Sequence, residues 1–510
     1  MTETEKESTL VFVNNRQNSA LGLRSRQMLE TLIDYNATDL LSLLRKRDIS
    51  GVELLDCCIK QYYDINPSLN AIVETNFEES RKLFKKFDAD FGIDSCQERF
   101  LPLPVAVKDL NDVKGLKTTF GSPLFRDNVA TKDDDVVAQI KKASAVIFGK
   151  TNVPEHGFGA TTTNPLQGST GNPFDRSLSA GASTGGGAAA VASGIVPLAT
   201  GSDFAGSLRT PAAFCGIAGM RPSNGVVGTN RRSNIWSPFD VEGPMAKTAA
   251  DCKLLLGAMA KTCSVDPFSK QMSKELQSPV KELDLKKLNV AFSYDLGFCV
   301  MSDVYRKIFK DKLQKFDDLF ASCRPDCMDL SVAYKTFMTL RSIGFLGDFG
   351  PMHQEFGDEL GEVIIKELEL ARKLSCEEIA KAFLNHSQIV RHSDEFFNSY
   401  DLLITPAAAV PPFKHELKYP SEIDGQFYEG YLDWEAISWG ITLTQCPSVV
   451  INCGTDENDM PFGIQLIAKQ HNDVFLLDVA HSIETVFLGI EDLKRPRPII
   501  EKLAAIDAAT

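Results

Sequence analysis

Two serines and a lysine in this 510-residue chain could do nucleophilic chemistry. Ser183 lies in Gly181-Ala182-Ser183-Thr184-Gly185, which fits the G-x-S-x-G nucleophile elbow. Ser207 follows in the same glycine- and alanine-rich stretch, which ends at Pro211. Lys108 closes the apolar run Leu103-Pro104-Val105-Ala106-Val107 and is followed by Asp109, an obvious ion-pair partner. The elbow is the weaker pattern, because it needs a hydrophobic strand just before the serine. Asn172 to Ala180 is polar, contains Pro173, and reads as loop. Gly185-Gly186-Gly187 could cradle a phosphate through backbone N–H groups. Yet no strand feeds it, and no G-x-x-x-x-G-K-[ST] is present. Glycines alone suit turns and close packing.

Composition narrows the classes. The net charge is −14 with no block dense in lysine and arginine, which argues against a nucleic-acid surface. No run of roughly 18 apolar residues is present, so no membrane span is expected. The first apolar run, Leu10 to Val13, is too short for a secretory signal and follows an acidic segment. The 12 cysteines are scattered; Cys323 and Cys327 have no second cluster, and no H-E-x-x-H occurs. Reduced thiols, a cytoplasmic location, and no metal or organic cofactor are the expectation.

The chemistry must be held by elements that alternate. Residues 1 to 26 read as a loosely ordered arm, and 27 to 510 as one catalytic domain. Helices are expected from about Thr38 or Asp39 and over Val52 to Tyr63, the latter closed by Asn66-Pro67. Strands follow at Leu101–Lys108, Ala145–Lys150, Ile195–Thr200 and Gly225–Gly228, with helices at Asp135–Ala143 and Ala188–Ser193. Residues about 270 to 400 read as charged helical cover, with helices over Ser302–Leu319 and Phe356–Leu384. Strands return at Asp401–Pro406, Pro447–Asn452 and Pro461–Ile467, before a helix over Asp473–Phe487. The class is α/β: a large mixed sheet flanked by helices, with extra helical segments at the N-terminus and around 270–400.

The glycine stretch does not stand alone. GASTGGGAAA from Gly181 and GSDFAGSLRTPAAFCG from Gly201 together closely resemble the amidase signature. The likeness extends to Pro104-Val105-Ala106-Val107-Lys108-Asp109, to Thr118-Thr119-Phe120-Gly121-Ser122, to Gly219-Met220-Arg221-Pro222-Ser223, and to Gly243-Pro244-Met245-Ala246-Lys247-Thr248. It reaches Tyr400 to Pro406 and Pro461 to Ile467, covering roughly 27 to 490. The resemblance implies an amide hydrolase with a Ser–cisSer–Lys triad: Ser207 as nucleophile, Ser183 as bridging serine after a cis bond, Lys108 as base. It implies an oxyanion loop of backbone N–H groups at Phe204, Ala205 and Gly206, buttressed by Asp203 and Arg209. The chemistry is consistent: a serine must lose its proton to attack. A lysine can take that proton only if burial lowers its pKa from ~10.4. Ala182, Thr184, Gly187 and Ala205 depart from the usual signature, and Ala205 suits the loop where φ is negative.

The implied substrate is a small-molecule amide, cleaved to carboxylate and ammonia or amine. Phe204, Trp236, Trp434 and Trp439 are candidate pocket walls. Two alternatives stay open: the glutaminase component of an amidotransferase, or an inactive relative that binds. Arg231 to Pro244 differs from the amidotransferase pattern, and all three triad positions are filled, which favours a free-standing enzyme, with a homodimer left open.

Overall fold

The computed structural model describes residues 32–90, 101–271 and 274–504. The arm expected over 1 to 26 lies outside them. Eleven strands form one mixed sheet: β1 (Ile72–Thr75), β2 (Pro104–Lys108), β3 (Val146–Thr151), β4 (Leu198–Asp203), β5 (Ala218–Arg221), β6 (Val241–Ala246), β7 (Asn289–Phe292), β8 (Ser322–Pro325), β9 (Leu402–Pro406), β10 (Ser448–Thr455) and β11 (Pro461–Ile467). Their spatial order is β1-β3-β2-β4-β6-β5-β10-β11-β9-β7-β8. β2 lies between β3 and β4, parallel to both, while β4, β6, β5, β10 and β11 run antiparallel in turn. Every residue of β2, β3, β5, β6, β9 and β11 is buried, and β2, β9 and β11 accordingly read as apolar runs rather than as alternation.

Helices cover the sheet: α1 (Ala37–Lys46), α2 (Gly51–Leu69), α3 (Phe77–Asp90), α4 (Asp135–Lys142), α5 (Gly185–Ala192), α6 (Arg209–Cys215), α7 (Ala249–Met259), α8 (Asp303–Leu313), α9 (Ala333–Phe356), α10 (Glu362–Ala371), α11 (Cys376–Phe396), α12 (Ala436–Thr444), α13 (Asp473–Phe487) and α14 (Ile500–Ala504). α5 packs on β2, β4 and β6, and α6 on β10 and β11. The glycine run is the first turn of α5. A Cβ on Gly186 would lie 2.5 Å from Asn152 N and 2.8 Å from Ala71 O, so only glycine lets this helix seat against the strand ends.

Several boundaries differ from the sequence expectation. α2 starts at Gly51 rather than after it, because Ser50 and Glu53 form a reciprocal capping box. It runs through Pro67 to Leu69, and Asn70 ends it in the left-handed conformation. Gly225–Gly228 is not a strand; Val227 makes only an isolated bridge to Lys261. β5 and β6 supply the sheet there instead. The helix expected over Phe356–Leu384 is broken at Gly357 and Gly361, both with positive φ, into α9, α10 and α11. The 270–400 region is also not cover alone, since β7 and β8 extend the main sheet.

Within that region α9 packs against α10, α11 and α12. Phe345 of α9 and Leu360, Ile364 and Leu368 form a separate small core, which receives Leu124 and Phe158 from loops that follow β2 and β3. The helical cover is thereby fastened over the loops at the C-terminal ends of those strands. Among the described residues no helix is long and apolar enough to cross a membrane.

Candidate active site

Lys108 is the last residue of β2 and is completely buried. Its Nζ donates to Ser183 Oγ at 2.8 Å and to Ser202 Oγ at 3.0 Å, with the Ser202 carbonyl at 3.4 Å. Burial pulls its pKa down to about 8; the nearby Glu242, Asp240 and Asp203 carboxylates work against that fall. The neutral amine is thus within reach near neutrality. Asp109 does not pair with Lys108. Strand alternation sends it to the opposite face, where Lys150 Nζ donates to its Oδ1 at 2.7 Å and Thr119 donates to its Oδ2 through hydroxyl (2.5 Å) and N–H (3.1 Å).

Ser183 is buried, and the Ala182–Ser183 peptide bond is cis. Its loop lies directly on the segment that carries Ser207: a Cβ on Gly181 would sit 2.7 Å from Pro211 Cα. Gly157 borders the other side, with an added Cβ falling 3.7 Å from Ser183 Oγ. Ser207 is half-buried, in the turn between β4 and α6. Lys108, Ser183 and Ser202 are therefore joined by hydrogen bonds, whereas none links Ser207 to Ser183.

The turn around Ser207 is built on Asp203. Its carboxylate accepts Gly206 N–H and Leu208 N–H, each at 3.1 Å. Arg209 donates to it through Nε at 3.0 Å and Nη2 at 2.9 Å, a two-pronged grip. Arg221 Nη1 reaches the Asp203 carbonyl at 2.6 Å and Oδ1 at 3.2 Å. Burial raises the Asp203 pKa, but Arg209 and Arg221 outweigh it and hold the carboxyl well below the usual range. Arg209 also donates to Ser438 O (2.5 Å), Gln465 Oε1 (2.9 Å) and Thr442 Oγ1 (2.9 Å), tying the turn to α12 and β11.

The expected oxyanion loop is thus divided. Gly206 N–H is committed to Asp203 and shapes the turn. Among the described residues, Phe204, Ala205 and Ser207 N–H donate to no protein group. Ala205 has no positive φ, so alanine is unstrained there, whereas Gly206 has φ +139°. Phe204 packs edge-on against Phe239 and Phe337, with ring centroids at 5.5 and 6.0 Å, and Phe337 stacks on Trp439 at 4.6 Å. Of the tryptophans, Trp439 belongs to this apolar wall. Trp434 is packed against Phe214 and Phe413, and Trp236 is on the surface. The sequence reading missed Ser202, Arg221, Glu242 and Asn111. Ser202 was legible in principle as the residue before Asp203 that faces away from it.

The mixed sheet thus holds a buried lysine hydrogen-bonded to a buried serine. Likeness to known proteins gives the class. The sequence profile of the Amidase family matches residues 53–477, and the chain belongs to that family; it is an amide hydrolase of the amidase-signature type. It is 30% identical over 459 residues to an acylamidase of Rhodococcus erythropolis, covering 88% of this chain and 95% of that protein. It is 29% identical to a Glutamyl-tRNA(Gln) amidotransferase component from Legionella pneumophila, covering 88% and 96%. In fold it is similar to a bacterial aryl acylamidase (TM-score 0.82, 22% identity, 92% and 98% covered) and to a 6-aminohexanoate cyclic dimer hydrolase (TM-score 0.76, 22% identity, 92% and 99% covered).

Proposed function

We propose that the chain hydrolyses linear carboxylic acid amides bearing an apolar acyl or aryl group, through an acyl-enzyme on Ser207. The observation that carries this reading is the buried Lys108–Ser183 hydrogen bond of 2.8 Å. In the neutral amine, the two N–H groups serve Ser202 Oγ and its carbonyl. The lone pair then faces the Ser183 hydroxyl and accepts its proton. Ser183 in turn takes the proton of Ser207 as that oxygen attacks the amide carbon. Phe204 and Ala205 N–H stabilise the oxyanion, with Ser207 N–H beside them, while Gly206, Asp203 and Arg209 hold the turn's shape. As the C–N bond breaks, the relay returns a proton to the leaving nitrogen. Water then cleaves the acyl-enzyme by the same route.

The Phe204–Phe337–Trp439 wall supports an apolar group on the substrate. A free-standing enzyme is favoured over an amidotransferase component because Arg231 to Pro244 departs from the amidotransferase pattern. A serine-directed fluorophosphonate followed by peptide mapping tests the assignment. Label on Ser207, abolished by Lys108→Ala, is expected. Label on Ser183, or none on Ser207 in the folded protein, overturns it.

A further inference from the structure

β4 and β6 run antiparallel in a register that sets Ser202 directly opposite Glu242. Directly opposed residues project to the same face. Ser202 is the hydroxyl that accepts from Lys108, so the Glu242 carboxyl lies on the lysine's side of the sheet. It is 6% exposed. Its Oε1 accepts from Asn111 Nδ2 at 2.9 Å and faces Arg231 at 3.5 Å. Two atoms of the Glu242–Asn111 pair are left over. Glu242 Oε2 and Asn111 Oδ1 are both buried and both without a hydrogen-bond partner. An ionised carboxylate makes both of them acceptors, and a buried unpartnered acceptor is destabilising because it has lost its bond to water. One proton on Oε2 turns one of the two into a donor. A carboxylic acid and a primary amide can then close a two-bond ring, in which the observed Asn111 N–H to Oε1 bond is joined by one from Oε2–H to Asn111 Oδ1.

We propose that Glu242 is carried as a neutral acid ring-paired to Asn111, and that this pair is a positioning element keeping negative charge away from Lys108. The surrounding charges are Lys108 on β2, Asp203 on β4, Asp134 before α4, and Arg231 and Asp240 on the segment leading into β6. Burial pushes the Glu242 carboxyl up to about 7, with Arg231 opposing and Asp240 adding to the rise. When Glu242 ionises, its charge stabilises the Lys108 ammonium and withholds the base. The link to Lys108 rests on the proposed role of that lysine; the protonation of Glu242 does not.

Glu242→Gln is the informative variant, because its amide can make the same ring with Asn111 at every pH. An infrared difference spectrum, wild type minus E242Q near pH 6 where exposed carboxylates are ionised, should show the carbonyl band of a neutral carboxylic acid. Wild-type thermal stability should fall as pH climbs from the ordinary glutamate range through about 7, since the folded protein holds a proton that the unfolded chain releases. E242Q should lack that part of the fall. Fluorophosphonate labelling of wild type and E242Q should coincide well below pH 7, where Glu242 carries no charge; where wild-type Glu242 ionises, E242Q should label faster and its acid limb should reach its midpoint at a lower pH, by about one unit. No acid carbonyl band, or stability curves that stay parallel, overturns the neutral acid. A band with an unmoved acid limb overturns its effect on Lys108. If wild type takes no label at all, the catalytic reading fails on its own while the infrared and thermal outcomes still decide the state of Glu242.

Discussion

Lys108 and Lys150 are both fully buried on adjacent parallel strands, yet only Lys150 has a carboxylate against it. Lys150 is in register with Val107, so it shares the face of Asp109 and not that of Lys108. One face of the β2–β3 edge is an ion pair, and the other is an amine among hydroxyls.

The two lysines should therefore fail in different ways. Lys150→Met leaves Asp109 buried without its cation and should cost roughly 3–5 kcal/mol of stability in denaturant unfolding. Lys108→Met should remain folded, lose fluorophosphonate labelling, and leave the unfolding midpoint close to wild type or above it near neutral pH.

The amine sets a pH dependence. On the proposed mechanism the neutral form is the base, so kcat/KM should rise with pH along a limb centred near 8. For stability the sign is the same: the folded state binds the Lys108 proton less well than the unfolded chain does. Stability therefore grows as pH rises from about 8 towards the ordinary lysine value. Urea melts of wild type and K108M across that range should converge as pH rises. Curves that diverge instead would contradict a lysine depressed by burial.

Gly206→Ala should be severe. The φ of +139° is a conformation that side chains rarely adopt, and a Cβ there would come within 2.7 Å of Ser438 Cβ. A cost of about 1–3 kcal/mol is expected, with labelling slowed at least about a hundredfold as the donors beside Ser207 move. Ala205→Gly, at a residue without positive φ, should change labelling less than about threefold by the same measure.

Phe337→Ala opens the wall between Phe204 and Trp439. Loss of a buried aromatic should lower stability by about 3–5 kcal/mol. Among amides turned over by both proteins, kcat/KM should fall more for one with an aryl or long acyl group than for a short aliphatic one. An equal loss on both would show that this wall does not face the substrate.

How much of this was legible in the sequence depends on the residue. Ser183 and Ser207 stand in a long run of small residues whose order is distinctive, Lys108 closes an apolar run upstream of it, and β2, β9 and β11 were plain because double burial gives them continuous apolar sequences. β5 and β6 were not plain. Ala218–Arg221 is short, and Val241–Ala246 carries Glu242, Gly243 and Pro244, which read as breakers. The β7 and β8 pair was masked by the charged helices on either side. Partners at long range were invisible for a simpler reason: Glu242 meets Asn111 across 131 residues of sequence, and only the strand order brings them together.

The grip of Arg209 on Ser438, Thr442 and Gln465 has a consequence for the order in which the protein acquires activity. The residues that would attack an amide are complete by position 207, but their turn is anchored from positions 229 to 256 residues later in the chain. During synthesis from the N-terminus, this long-range closure must wait until β11 is available. A polypeptide stopped before Gln465 carries every reactive group and lacks the frame that aims them. On the proposed mechanism, hydrolytic competence is thus a late property of the polypeptide, and the nascent Ser207 gains its aim only when nearly the whole fold stands behind it.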